Sequence, residues 1–141
     1  MSKPLALVRS LDHLVLTCRN VPATCQWYSQ HLGMTVERFT SASSPGTERV
    51  ALRFGTQKIN LHQQGKEFEP KATTALPGTA DLCFLLAEEM DLEAALKDFK
   101  GEGIEVLEGG EVVDRTGARG KIRSFYVRDP DGNLIELSKY A

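Results

Sequence analysis

The stretch "YVRDPDGNLIEL", residues 126 to 137, decides how the whole chain is read. A tight turn, DPDG, separates two short apolar runs, which reads as strand, turn, strand. Leu134, Ile135 and Leu137 suit a sheet interior, yet Glu136 sits among them. Strand side chains alternate between faces, so Glu136 shares a face with Leu134 and not with its immediate neighbours. A carboxylate in that setting needs a partner, because burying it alone is costly.

The same order of elements occurs twice. "LDHLVLTC" (11–18) reads as a strand and "VPATCQWYSQHLG" as a helix, with Pro22 near its start and Gly33 at its end. "MTVERFT", "RVALRFG" and "KINLHQQ" follow as three strands joined by glycine-containing turns. "GKEFEPKATTALPG" is polar and proline-containing and reads as a connecting loop. Then "ADLCFLL" is a strand, "DLEAALKDFKGEG" a helix, and "GIEVLEG", "KIRSFYVRD" and "NLIEL" are strands. The expected fold class is α+β, with module one at about 10–64, the loop at about 65–78 and module two at about 79–140. A period of about 70 residues is too long for a solenoid repeat and suits a duplicated half-domain.

The repeat turns Glu136 into a geometric question. Matching the first strands sets His13 against Asp81, and matching the last strands sets Asn60 against Glu136. Four polar side chains fall at equivalent places in otherwise apolar runs, and His62 shares the face of Asn60. Joined in one curved sheet, the modules would turn these groups onto a shared surface.

Bulk properties bound the function. A chain of 141 residues, 41% hydrophobic and 26% charged, is an ordinary single globular domain. A formal charge of −2 leaves no electrostatic footprint for nucleic acid or an anionic membrane. No apolar run reaches membrane-span length, and the first ten residues do not read as a signal peptide. Cys18, Cys25 and Cys83 are odd in number and lack CxxC spacing, which favours reduced thiols and a cytoplasmic setting. No GxSxG, Walker, GxGxxG or HExxH motif occurs.

A histidine nitrogen and a carboxylate oxygen make a good divalent-metal pair, so His13 and Glu136 are the leading ligand candidates. His62 either completes a His–His–carboxylate set or serves substrate. Asp81 is a ligand, a partner holding His13, or a general base. Asn60 orients water or substrate. Ser124 and Tyr126 share a face, where a Tyr hydroxyl near a metal would donate to a developing oxyanion. The basic loop "DRTGARGK" (114–121) offers Arg119, with Arg123 just beyond it, to an anionic substrate.

"LDHLVLTC…WYSQHLGM", "FGTQKINLHQQGKEFEPKA" and "RTGARGKIRSFYVRDPDGNLIELSKY" together resemble the vicinal oxygen chelate superfamily, which takes in glyoxalases, bleomycin resistance proteins and extradiol dioxygenases. Within it the likeness is to the group of glyoxalase domain-containing protein 5 and its bacterial relatives, over roughly residues 10 to 140. The resemblance implies paired βαβββ modules forming a U-shaped mixed β-sheet around a divalent ion, with Zn, Ni, Mn, Co and Fe not distinguished. It places the first-strand ligand on His13 and the last-strand ligand on Glu136, and matches Tyr126 to a tyrosine used near the metal. Asp81 stands where ring-cleaving relatives carry His, and Asn60 where glyoxalase I carries a further ligand. The expectation is a metal-dependent, glyoxalase-like lyase or isomerase acting on an α-oxo compound or its thiol adduct. The alternatives are an extradiol-type dioxygenase of a small catechol and a non-catalytic binding or resistance protein. A homodimer and a small-molecule substrate are the implied partners.

Overall fold

A computed structural model describes residues 3–43 and 45–141. The first module runs β1 (His13–Cys18), α1 (Val21–Leu32), β2 (Thr35–Thr40), β3 (Glu48–Phe54) and β4 (Gln57–Gln63). The second runs β5 (Asp81–Leu85), α2 (Leu92–Gly101), β6 (Val113–Gly117), β7 (Gly120–Arg128) and β8 (Leu134–Tyr140). Local chemistry fixes the helix ends. Asn20 Oδ1 accepts from the Ala23 N–H at 2.9 Å to start α1, and Gly33 closes it in the left-handed region at φ 68°. Asp91 caps α2 by accepting from the Ala94 N–H.

Each module folds into its own four-stranded mixed sheet, in the orders β1-β4-β3-β2 and β5-β8-β7-β6. The expected paired βαβββ architecture is present, with the continuous sheet replaced by two separately bonded ones. Registers repeat between them: Val15 pairs with Asn60 as Cys83 pairs with Glu136, and His13 with Lys58 as Asp81 with Leu134. One face of each sheet carries Leu16, Leu52, Ile59 and Leu61, or Phe125, Val127, Ile135 and Leu137, and joins both helices in a common core. Phe99 of α2 meets Phe125 edge-on at 5.6 Å between ring centroids, and Phe54 meets Phe84 at 5.4 Å. The other face of each sheet is free of helices and holds His13, Asn60 and His62, or Asp81, Ser124, Tyr126 and Glu136.

The DPDG turn staples the two modules. Asp129 Oδ1 accepts from the backbone N–H groups of Asp131 and Asn133, and its Oδ2 accepts from the Asn133 side-chain amide. The same Oδ2 accepts from the Tyr28 hydroxyl of α1 at 2.7 Å, and Tyr28 is fully buried. Asp131 accepts from the Arg19 backbone N–H at 3.0 Å. Burial, followed by the Asp129 carboxylate, pushes the Tyr28 phenol far up, so it serves as a permanent donor. The connecting segment passes so close that a Cβ on Gly78, at φ +80°, would lie 2.6 Å from the Asp131 carbonyl oxygen.

Two readings of the second module are corrected. "GIEVLEG" is not a strand: only the Leu107 N–H bonds to the Tyr126 carbonyl, at 2.9 Å, before a 3-10 turn at Glu108–Gly110. Positive φ at Glu108, Gly109 and Gly110 takes the chain out of extended geometry there. The module's second strand is instead β6, so "DRTGARGK" is a hairpin in register with β7 and not a free loop.

Candidate active site

On the free face of the second sheet, Glu136 stands between Cys83 of β5 and Tyr126 of β7, with Ser138 and Ser124 as the next pair along. The Ser124 hydroxyl donates to Glu136 Oε2 at 2.6 Å. Ser124 and Ser138 are both fully buried, with their oxygens 2.7 Å apart, and Cys83 Sγ lies 3.2 Å from Ser138 Oγ. Each hydroxyl has one proton to give. With the Ser124 proton on Glu136, that of Ser138 falls to Ser124, and the Cys83 S–H falls to Ser138. The result is a directed chain that ends on Glu136 Oε2.

That direction agrees with the electrostatics. Burial, partly offset by the Ser138 hydroxyl, raises the Cys83 thiol, and the Glu136 and Asp81 carboxylates raise it further. Cys83 is thus a protonated donor and not a nucleophile at neutral pH. Tyr126 is also raised, first by desolvation; the Arg115 N–H donated to its oxygen at 3.2 Å works the other way, and Glu136 adds to the rise. Its phenol stays protonated beside the carboxylate.

His13, on the first module, shares a crevice with Cys83 of this row. β1 and β5 are the edge strands of their sheets, and His13, Leu14, Leu82 and Cys83 line one crevice between them. The ring Nδ1 lies 2.8 Å from Asp12 Oδ2. A hydrogen bond from Nδ1–H to that carboxylate leaves Nε2 as the free lone pair, the arrangement that suits a metal-binding imidazole. Asp81, exposed, lies two residues along β5 from Cys83 on the same face.

The remaining candidates sit elsewhere. His13 is level with Lys58, while His62 lies four residues further along β4 beside Thr17, roughly 13 Å away at strand spacing. His62 therefore does not pair with His13; it is buried under Phe68, at 5.3 Å between centroids. Burial, then the Arg49 charge, lowers its pKa, so it is neutral. Asn60 lies between Val15 and Ala51 on the same face, with its Oδ1 buried and unpartnered among the described residues. Arg123 alternates with Ser124 and so points to the opposite side of the sheet, where it pairs with Glu93 at 3.3 Å and Asp114 at 3.9 Å. Arg119 stacks on Tyr140 at 4.4 Å at the tip of the β6–β7 hairpin. Neither arginine belongs to the Glu136 row.

Sequence reasoning missed Ser138, Cys83 and Arg49. Their alternation with core residues was available, but the proton direction and the absent partner needed the fold.

The donor chemistry of His13 Nε2 and Glu136 Oε1 suits a divalent cation. Among the described residues, however, no three His, Cys, Asp or Glu side chains are gathered closely enough to hold one.

Comparison with known proteins places this arrangement. Residues 10–137 match the model of the Glyoxalase/Bleomycin resistance protein/Dioxygenase superfamily. The glyoxalase domain-containing protein RDO1 of Mycosarcoma maydis is 54% identical over 94% of this chain and 69% of its own length. The virulence protein STM3117 of Salmonella typhimurium is 46% identical over 95% of this chain and 86% of its own. A solved structure from the mobile metagenome of V. Pseudocholerae superposes with a TM-score of 0.85 at 49% identity, covering 97% of this chain and 98% of that one. The chain belongs to the Glyoxalase/Bleomycin resistance protein/Dioxygenase superfamily.

Proposed function

We propose that the chain is a divalent-metal-dependent lyase or isomerase acting on an α-oxo compound or its thiol adduct. The observation that carries this reading is the Glu136 row, a carboxylate fed by a buried hydroxyl chain beside a protonated Tyr126, across a crevice from an Asp-oriented His13. His13 and Glu136 would hold the cation, with Asp81, on the same face of β5, the candidate to complete the set. A bound cation would supply Lewis-acid polarisation of a substrate carbonyl or hydroxyl. The protein's own part is proton handling. Tyr126 donates to a developing oxyanion and Asp81 takes or returns the substrate proton, while Ser124 holds Glu136 Oε2 in place and leaves Oε1 to face the cation.

The test is elemental analysis after stripping and re-equilibration with Mn, Fe, Co, Ni and Zn, on the parent protein, His13→Ala and Glu136→Ala. One equivalent of metal, lost in both variants, is the expected result. Iron with oxygen uptake on a catechol would move the reading to the dioxygenase alternative. No metal in the parent protein would sink it in favour of a second reading, a non-catalytic small-molecule binder, which fits the lack of a closed three-donor cluster among the described residues. A homodimer is part of the proposal: Leu5, Leu7, Val8 and Leu11 stand 108, 89, 81 and 62% exposed along one strand-free segment. Light scattering on the parent chain should return twice the monomer mass.

A further inference from the structure

We infer that Arg49 forms a carboxylate-binding subsite on the free face of the first sheet, separate from the Glu136 row and independent of whether that row carries a metal. Arg49 projects from β3 beside Phe39 on one side and toward His62 on the other. Its guanidinium lies 4.2 Å from the centroid of the Phe68 ring. Among the described residues its Nε and Nη2 are buried with no hydrogen-bond partner. Those two atoms form the side-on edge of the guanidinium, whose parallel N–H groups match the two oxygens of a carboxylate.

Nearby acids do not serve it. Glu37, on the same face, is bound to Arg53 at 2.5 Å, and Glu67 accepts from the Gly65 backbone N–H at 3.0 Å. Two buried guanidinium N–H groups without a partner are costly unless a ligand completes them. Stacking on Phe68 occupies the face of the group and leaves its edge for bonding. His62, neutral, brings no competing charge. His62 also lines, with Thr17, Lys71, Thr74 and Thr79, a cavity of about 410 Å³ whose wall does not include Arg49 or Asn60. Asn60, one residue pair along, offers a second idle group, a buried acceptor. The ligand class that satisfies both is a small organic acid carrying a hydroxyl or amine donor. Its entry requires the Phe68 segment to lift, since the fork edge is closed to solvent in this conformation.

Glycolate, acetate and inorganic phosphate are the probes, titrated at low ionic strength while the Arg49 Nε–H resonance is followed by nitrogen-resolved NMR. Saturable shifts with both carboxylates are expected, with glycolate tighter than acetate by the Asn60 contribution. Arg49→Gln should weaken glycolate about tenfold or more, and Arg49→Lys, which keeps charge but not the fork, should fail to restore it. Asn60→Ala should bring glycolate down to the level of acetate. Three results would overturn the subsite. One is an Arg49 resonance unmoved up to about 50 mM carboxylate. The others are a folded Arg49→Lys protein that binds glycolate like the parent, and saturation by phosphate alone.

Discussion

The two free faces are built on one plan and carry opposite chemistry. At equivalent register positions the first module carries Val15 and Asn60 where the second carries Cys83 and Glu136, and toward the far end of β4 and β8 His62 stands where Ser138 does. The first face is cationic, with Arg49, Arg53 and Lys58 offset by Glu37. The second is a hydroxyl and thiol chain converging on an anion. Duplication preserved the ladder, because register and core packing depend on the alternating apolar residues. Residues on the helix-free faces are free of that constraint, and the two faces differ: one carries three cations with a single acid, the other a hydroxyl chain ending on a carboxylate.

The largest effect should come from breaking what joins the halves. Asp129→Ala removes the acceptor for four donors, including the buried Tyr28 hydroxyl, and should cost about 3 kcal/mol or more. Calorimetry should show a melting temperature lower by roughly 10 °C. Tyr28→Phe leaves Asp129 its three local donors and should cost about 1–2 kcal/mol. If the two variants melt alike, the staple is not the joint between modules. Gly78→Ala, which drives a Cβ against the Asp131 carbonyl, belongs between these limits at about 1–3 kcal/mol.

This staple marks how far the sequence could be read. The strand–turn–strand form of residues 126–137, the helices and the pairing of His13 with Asp81 and Asn60 with Glu136 follow from periodicity and turn chemistry alone. What could not be read is anything set by long-range packing. The DPDG turn binds α1 through Tyr28, 101 residues away in sequence. "GIEVLEG" has strand propensity, but no strand pairs with it beyond one bond to Tyr126. His62 shares a face with Asn60 as expected, yet the parallel register carries it away from His13, and register was invisible without the fold. Arg123 looked like a substrate arginine until alternation along β7 turned it to the other side.

A sharper contrast between the faces comes from Glu136→Gln. Its carboxylate adds to the rise in Tyr126, so the neutral amide should bring the phenol back toward its ordinary value. Ultraviolet titration of tyrosine ionisation would read this. Tyr28, raised by burial and Asp129, should not move. An unchanged Tyr126 would mean the second face is not electrostatically coupled as its geometry requires.

The smallest effect belongs to the first face and has the opposite sign. Burial and the Arg49 cation hold His62 below its ordinary value, so Arg49→Gln should raise its pKa, read by NMR titration of the ring protons. The shift stays partial because burial, the larger cause, remains. In the parent protein the unfolded chain binds this proton more readily than the folded one. Stability from His62 is therefore full above about pH 6.5 and declines as pH falls toward the folded value. Arg49→Gln narrows that window, so its loss of stability between neutral and mildly acid pH should be shallower than the parent's. A carboxylate bound at Arg49 should act in the same direction by neutralising the cation. A His62 pKa that rises with glycolate in the parent and not in Arg49→Gln would tie the subsite and the histidine to one charge.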